Sequence, residues 1–366
     1  MNIGILFSYG ISLKDWDQSG LIDREIEIYK KLSKYHKITF ITFGTKKDFK
    51  YKKKLKSFKI LPIYSFIKKR NKYIDFLISF FIPVLLRSHF KEIDILKCNQ
   101  MWGSWIAVIN KIIYKKNYIL RCGYEMYQNE LHRNNFIRKR LYFFISYISY
   151  IFSNKIVVTT QDIKKFIIEY FHISSAKIVV IPNFINTKKF KNLNQKKTND
   201  CLFVGRLSEE KNLFKVFDFL NGTKKKLFII GNGKIKTKLV EYKKNLKINV
   251  SFLKNIKNNN LPRIYNKFKF FILMSKFEGN PKVLLEAMAC GCVCLVNKSQ
   301  GIKSIIKDNY NGFFIKNKLD FNYVIKKIEK NKSIYLRISK NSQNFIKRNN
   351  SLEIIIKKEL KIYKLY

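Results

Sequence analysis

The sequence predicts an α/β protein built from two doubly wound parallel-sheet domains. Three observations carry that expectation. Short apolar runs alternate with amphipathic segments along most of the chain, the pattern of strands buried on both faces between helices. The alternation comes in two series, separated by a polar, Lys/Asn-rich stretch over 183–200 that has no periodicity. The 366 residues, at about 150 per domain, suggest about two domains.

The first run, MNIGILFSYG, lacks a basic leader segment and a small-residue cleavage site. It reads as a buried first strand over 3–7, not as a signal peptide. Further strands are expected at 37–43, 93–98, 118–122, 155–159 and 177–181, with helical stretches such as 20–33 and 106–114 between them. The second series has strands at 201–205, 227–231, 248–253, 270–274 and 292–297, and helices at 213–220, 234–244, 261–266 and 281–289. The apolar run over 74–86 is interrupted by Asp75 and broken by Pro83. It is shorter than the ~20 residues of a membrane span, so a core helix or an interfacial segment fits better. Residues 352–366 read as an amphipathic helix with a basic polar face. No internal repeat is visible. The expected division is 1–182, 183–345 and a terminal segment 346–366.

Hydrophobic residues make up 46% and aromatics 15%, which excludes global disorder, and five prolines with 14 glycines exclude a collagen-like or low-complexity chain. The net charge of +49 makes an anionic surface a candidate partner. Compositional drift toward Lys, Asn, Ile, Phe and Tyr accounts for the same excess, and both explanations stand at this point. The charge prompts a nucleic-acid reading too, but no recognisable nucleic-acid module accompanies it. The six cysteines, Cys98, Cys122, Cys201, Cys290, Cys292 and Cys294, form no CxxC pair and have no histidine cluster beside them. They read as small buried hydrophobes, the last three alternating as in a strand, and free thiols suit a reducing cytoplasm. The four histidines, His36, His89, His132 and His172, sit in no motif and are assigned no role.

Three motifs carry chemistry. The first is Phe203-Val204-Gly205-Arg206-Leu207-Ser208-Glu209-Glu210-Lys211-Asn212. A strand ends at Gly205 and a helix is expected to start near Ser208, a good N-cap residue. A strand end, a helix N-terminus and two cations suit an anion, although Arg206 and Lys211 taken alone fit a solvated surface better. The second, Leu227-Phe228-Ile229-Ile230-Gly231-Asn232-Gly233, is a strand followed by Gly-x-Gly, without the third glycine of a dinucleotide fingerprint. The third runs from Ser275 through Lys276-Phe277-Glu278-Gly279-Asn280-Pro281-Lys282-Val283-Leu284-Leu285-Glu286 to Gly291. A strand leads into a loop with Glu278 and Gly279, Pro281 opens a helix, and Glu286 follows eight positions after Glu278. The amides of Asn280, Lys282, Val283 and Leu284 would form a nest for phosphate, with carboxylates at Glu278 and Glu286 for hydroxyls.

In this order and spacing the three motifs resemble the donor-binding half of a retaining family-4 glycosyltransferase of the GT-B fold. The likeness includes the Gly-Arg-Leu-Ser-x-Glu-Lys-Asn box and the Glu-x7-Glu pair. Ile181-Pro182-Asn183 and the later Asp308–Phe314 stretch (DNYNGFF) are similar too. The resemblance is specific over about 178–314 and architectural over the first 150 residues. It implies two Rossmann-like domains facing a cleft, with the terminal helix packing back on the first domain. It implies a UDP- or GDP-sugar as co-substrate, transfer with retention, and no metal or other cofactor. By motif match, Gly205, Arg206, Lys211 and Gly231 would meet the diphosphate, and Lys211 and Arg206 would stabilise the leaving group. Glu278, with Gly279, would hold the sugar hydroxyls, Glu286 the ribose, and Asn255 with Ile256 the base. The acceptor implied is a glycan or lipid-linked glycan of a surface polysaccharide or lipopolysaccharide, handled by a cytoplasmic enzyme at the inner face of the membrane.

In the first half the match thins. Ser19-Gly20 stands where the family has a glycine pair, and Leu120-Arg121-Cys122-Gly123-Tyr124-Glu125 has no histidine where one is usual. Gly20, Asn99, Arg121 and Tyr124 are the acceptor-side candidates, with Arg121 open to either an anion or a salt bridge. The basic aromatic stretch over 136–152 fits either a core helix or a membrane-surface contact. A GT-B protein without transferase activity, epimerase-like or degenerate, is the alternative to the transferase.

Overall fold

The computed structural model describes residues 1–131, 135–254 and 256–366. The chain divides into two compact units, Met1–Ile181 with Ile356–Tyr366, and Pro182–Ile355. Each is an α/β unit around one parallel sheet.

The first unit holds β1 (Asn2–Leu6), β2 (Lys37–Thr42), β3 (Phe58–Pro62), β4 (Ile95–Cys98), β5 (Asn117–Cys122), β6 (Lys155–Val158) and β7 (Ile178–Val180). Their order is β3-β2-β1-β4-β5-β6-β7. The chain thus winds outward from β1 in one direction, then crosses to β4 and winds in the other. Strands such as β4 (ILKC) are buried throughout, which is why apolar runs rather than alternation mark them. Terminal helix Leu352–Tyr363 gives Glu359 and Tyr363 to this unit's buried interior.

The second unit holds β8 (Thr198–Val204), β9 (Lys226–Ile230), β10 (Asn249–Leu253), β11 (Phe268–Leu273), β12 (Val293–Val296) and β13 (Phe313–Phe314), ordered β10-β9-β8-β11-β12-β13. The topological switch lies between β8 and β11, which pair directly. Helix Lys282–Ala289 follows β11 and is buried at Leu284, Leu285, Glu286, Ala287, Met288 and Ala289. An almost wholly apolar helix of this kind belongs inside, each large side chain contributing about 1.5–3 kcal/mol of burial.

Several expectations need correction. β3 and the two-residue β13 were not expected. Stretch 183–200, polar and aperiodic, nonetheless carries buried anchors. Phe184, Ile185 and Phe190 are buried, and Ile185 bridges to Ser351. These anchors are irregularly spaced, so no period reveals them. Of the three alternating cysteines only Cys294 lies on a strand: Cys290 caps helix Lys282–Ala289, Gly291 turns the chain with a φ of +75°, and Cys292 precedes β12. All six cysteines are free and buried. His132 lies outside the described residues. Among the described residues no helix is long and apolar enough to cross a membrane.

Candidate active site

In the second unit, the loops leaving β8, β9, β11 and β12 meet at the carboxyl ends of the strands, where doubly wound sheets bind ligands. β8 ends at Val204, and Gly205 and Arg206 follow, with Arg206 exposed. A short turn of 3-10 helix covers Glu209–Lys211. Helix Leu213–Leu220 begins only after Asn212, whose φ is +53°. This corrects the expected start near Ser208, whose side chain caps nothing. The left-handed Asn212 breaks the helical path, so Lys211 sits on the turn and not inside a helix.

The Gly-x-Gly loop has a packing role. A Cβ at Gly231 would lie 1.8 Å from the Gly205 carbonyl oxygen, and one at Gly233 would lie 2.1 Å from that of Leu207. Only glycine lets the β9 loop approach so closely. The contact is closed by Gly205 N–H donating to Ile230 (3.0 Å) and Leu207 N–H to Asn232 (2.9 Å). Gly231 therefore supports the Gly205–Arg206 loop from behind.

The β11 loop is tied to the same place. Lys276 N–H donates to the Glu210 carbonyl (2.8 Å), and Lys211 Nζ donates to Glu278 Oε1 (2.6 Å). The two side chains are largely shielded, at 17% and 10% exposure, so the pair is firmer than a surface ion pair. Sequence reasoning overlooked Gly301. With a φ of +79°, its missing Cβ would lie 2.0 Å from the Gly279 oxygen and 2.4 Å from that of Glu278. The signal available was a glycine behind Ser299-Gln300 after the last buried strand, but the crossing of the two backbones leaves no pattern.

Asn280 is buried and structural. Its Oδ1 accepts from Asn183 N–H (2.9 Å) and its carbonyl accepts from Asn183 Nδ2 (2.6 Å). That explains why Ile181-Pro182-Asn183 accompanies the third motif. Pro281, with φ −70° and ψ 111°, stands at the N-cap, and helix Lys282–Ala289 points its N-terminus at the loop. The nest is smaller than expected, since Leu284 N–H already bonds the Pro281 carbonyl (3.1 Å). Asn280, Lys282 and Val283 are the other candidates for it, and Lys282 Nζ lies over the Phe184 ring at 4.5 Å.

Glu286 is fully buried one to two turns inside. Its oxygens accept from the Tyr265 hydroxyl (3.0 Å) and Asn258 Nδ2 (3.3 Å), and Lys189 Nζ donates to Asn258 Oδ1 (2.7 Å). Burial, then the Glu286 charge, pushes the Tyr265 phenol well above its usual range, so it stays a donor. Asn258, Tyr265 and Lys189 were missed, because their partnership spans the sequence from 189 to 286. Ile256 is half-buried against this unit's core, and Asn255 lies outside the described residues.

In the first unit, two acceptor-side candidates each meet a buried side chain. Asn99 Oδ1 accepts from the Tyr29 hydroxyl (3.1 Å), and Arg121 lies 3.6 Å from Glu359. Glu359 also pairs with Lys97 at 2.5 Å, and Lys97 Nζ donates to the Tyr363 hydroxyl (3.2 Å). Of the two alternatives for Arg121, the structure shows the salt bridge. Gly20 closes a turn with a φ of +67°, its amide on the Asp17 carbonyl, and Tyr124 is exposed.

Comparison with known proteins gives a consistent answer. Residues 184–345 match the family of glycosyl transferases group 1, and residues 26–189 match Glycosyltransferase Family 4. The chain is 29% identical over 189 residues to a Campylobacter jejuni GalNAc-alpha-(1->4)-GalNAc-alpha-(1->3)-diNAcBac-PP-undecaprenol alpha-1,4-N-acetyl-D-galactosaminyltransferase, covering 49% of this chain and 51% of that one. It is 27% identical over 183 residues to an Escherichia coli UDP-Gal:alpha-D-GlcNAc-diphosphoundecaprenol alpha-1,3-galactosyltransferase, covering 44% and 47%. The chain thus spans about half the length of the curated relatives it matches. In fold it is similar to Anabaena HepE, solved with UDP, with a TM-score of 0.80 at 14% identity over 100% of both chains. Sucrose-phosphate synthase from Thermosynechococcus elongatus has a TM-score of 0.79 at 12% identity over 100% of this chain and 98% of that one. Two parallel-sheet units, the laced loops at the β8–β11 switch and family matches running together over 26–345 agree: the chain belongs to the group 1, family-4 glycosyltransferases of the GT-B fold.

Proposed function

We propose that the protein moves a sugar from a UDP- or GDP-linked donor to a glycan or lipid-linked acceptor, with retention, in the synthesis of a surface polysaccharide or lipopolysaccharide-type glycan. The observation that carries this reading is the Lys211–Glu278 pair (2.6 Å) at the sheet's switch point, beside Arg206 and the N-terminus of helix Lys282–Ala289. In the reaction the anomeric C–O bond to the diphosphate breaks, and negative charge grows on the leaving phosphate. Arg206, Lys211 and the amides of Asn280, Lys282 and Val283 would stabilise that charge, one well-placed donor being worth about 10²–10³ in rate. This is the work a divalent ion does elsewhere, so none is called for, nor any bound cofactor. Glu278 accepts from sugar hydroxyls and fixes the anomeric carbon. Glu286 lies deeper, held by Tyr265 and Asn258, where a ribose hydroxyl would meet it. The acceptor hydroxyl forms its new bond on the face the diphosphate leaves, and its proton passes to the departing phosphate oxygen. Lipid-linked acceptors of the kind named for the Campylobacter and Escherichia relatives support a site of action at the cytoplasmic face of a membrane.

The test is Glu278→Ala, assayed with UDP- and GDP-hexoses and a polyisoprenyl-diphosphate-linked glycan. The variant should fold and bind nucleotide but lose transfer by at least about 10²-fold. The wild-type product should keep the donor's anomeric configuration by NMR, and activity should survive EDTA. An unchanged rate in Glu278→Ala would remove the assigned role. Nucleotide binding without transfer by the wild type would favour the degenerate GT-B reading.

A further inference from the structure

Two helices of the first unit put polar side chains in the core beside aromatic ones such as Tyr150 and Phe76, and turn other large apolar side chains outward. Helix Phe136–Phe152 buries Ser146 and Ser149, at 0% and 1% exposure, while Ile137 and Phe144 are 81% and 63% exposed. Ile137, Leu141, Phe144 and Ile151 recur at helical spacing, so they form one outward apolar stripe. The inward serines are satisfied: Ser149 shares a hydrogen bond with Ser104 (2.6 Å), and Ser146 donates to Glu125 (3.0 Å). Helix Lys72–Ser79 repeats the pattern. Asp75 and Ser79 are buried, with Trp105 Nε1 donating to Ser79 Oγ (2.8 Å), whereas Tyr73 and Leu77 are 71% and 63% exposed. Phe81, Val84 and Leu85 continue the exposed series. Both helices pack on the Trp102–Trp105 segment. Phe76 meets Trp102 at 6.5 Å, and Trp102 meets Tyr142 at 6.1 Å. A face this apolar, rimmed with charge, is not one that water selects.

The charge around it names the occupant. Segments 66–91 and 136–152 hold nine Lys or Arg against a single acid, Asp75. That carboxylate is turned inward and accepts from Arg70 N–H (2.9 Å). The chain as a whole has 74 bases to 25 acids, so the local excess exceeds the compositional drift. A second copy would bring like charge against like. An anionic bilayer offers acyl chains to the apolar stripe and phosphate to Lys69, Arg70, Lys72, Lys139 and Arg140. We propose that the face formed by helices Lys72–Ser79 and Phe136–Phe152 seats the protein on an anionic phospholipid surface. This deepens the lipid-linked-acceptor reading and rests on it for its biological sense, but its geometry stands apart from the donor site.

The experiment is co-sedimentation with vesicles of phosphatidylglycerol and phosphatidylethanolamine, against vesicles of phosphatidylcholine alone. The wild type should bind the anionic vesicles at least ten times better. Raising salt from ~0.1 M to ~1 M shortens the Debye length from ~10 Å to ~3 Å and should strip most of it off. The double variants Leu77→Asp/Phe144→Asp and Lys139→Gln/Arg140→Gln should each lower binding at least tenfold. These positions are at the surface, and an unchanged melting curve shows that the variants fold. Wild type that ignores both vesicles, or variants that bind as well as wild type, would overturn the proposal. So would a dimer in sedimentation velocity that Leu77→Asp/Phe144→Asp makes monomeric while leaving vesicle binding intact, since the face would then belong to a second copy. Capture by an acidic protein but not by vesicles would overturn it likewise. UDP- or GDP-induced thermal stabilisation, read on the same variants, reports the donor site separately. Its absence alongside normal vesicle binding would count against the transferase reading and not against this surface.

Discussion

Gly301→Ala would put a methyl group where two carbonyl oxygens now lie. The new Cβ would sit 2.0 Å from the Gly279 oxygen and 2.4 Å from that of Glu278, so to reach the ~3.0 Å of the closest real contacts the loop must shift by about 1 Å. The residue also has a φ of +79°, which costs a non-glycine about 1–2 kcal/mol. Overpacking adds about 1–3 kcal/mol, so the whole change should cost about 2–5 kcal/mol in urea unfolding of the second unit. Gly222→Ala separates the two effects. Its φ is +74°, but nothing lies within 4 Å of its added Cβ, so only the strain of about 1–2 kcal/mol applies. Function should split the same way. A 1 Å displacement of the segment carrying Glu278 should lower sugar transfer about 10²-fold, and Gly222→Ala should leave it near wild type. Equal activity in Gly301→Ala and wild type, or equal losses in the two variants, would show that the Gly301–Gly279 contact does not position Glu278.

Other consequences follow from the buried polar groups. Glu359→Leu strands the Lys97 ammonium, whose side chain is 3% exposed, and should cost the first unit about 3–5 kcal/mol in chemical denaturation. The double replacement Lys97→Met/Glu359→Leu should recover most of that loss. Burial opposes ionisation of Glu359, but Lys97 and then Arg121 outweigh it and hold the carboxyl below its usual range. Its stabilisation is therefore present above the unfolded carboxyl's range and is lost as pH falls through the lower folded value, which unfolding curves at stepped acid pH will show for wild type and not for the double variant. Tyr265→Phe removes a donor from buried Glu286 and should lower stability by about 1–3 kcal/mol, and it should weaken nucleotide binding more than it slows turnover at saturating donor.

The sequence made strands and motif loops readable for the same reason. Buried parallel strands are continuous apolar runs, and the residues that end them are glycine, proline and charge. The 213–220 helix coincides with Leu213–Leu220, and the 37–43 strand lies within a residue of Lys37–Thr42. β3 escaped notice because FKILP follows a lysine-rich stretch and ends in proline, so it reads as a loop. Ser208 looks like the cap of the helix after β8, but a separate 3-10 turn follows it, and Asn212 gave no sign of its left-handed backbone. In the site, Lys211 and Glu278 were visible as motif members, but their mutual ion pair was not. Lys97 lies on a buried strand, but its partner Glu359 is 262 residues away and no local pattern leads to it. Helices Lys72–Ser79 and Phe136–Phe152 were ambiguous for a similar reason. Composition shows that 136–152 is apolar and basic, and only packing shows that the serines face in.

The central claim is that Lys211 and its neighbours hold a nucleoside diphosphate. A thermal-shift screen of UDP, GDP, ADP and their sugar conjugates on wild type and Lys211→Ala tests it most directly. A ligand at ~100 times its dissociation constant adds about 2.7 kcal/mol, a rise of roughly 5–11 °C for a unit of this size. The account predicts that rise for a uridine or guanosine diphosphate with wild type, and its loss in Lys211→Ala measured against that variant's own unliganded melting point, which the stranded Glu278 carboxylate lowers. An equal rise in both proteins, or none with any nucleotide, would contradict it.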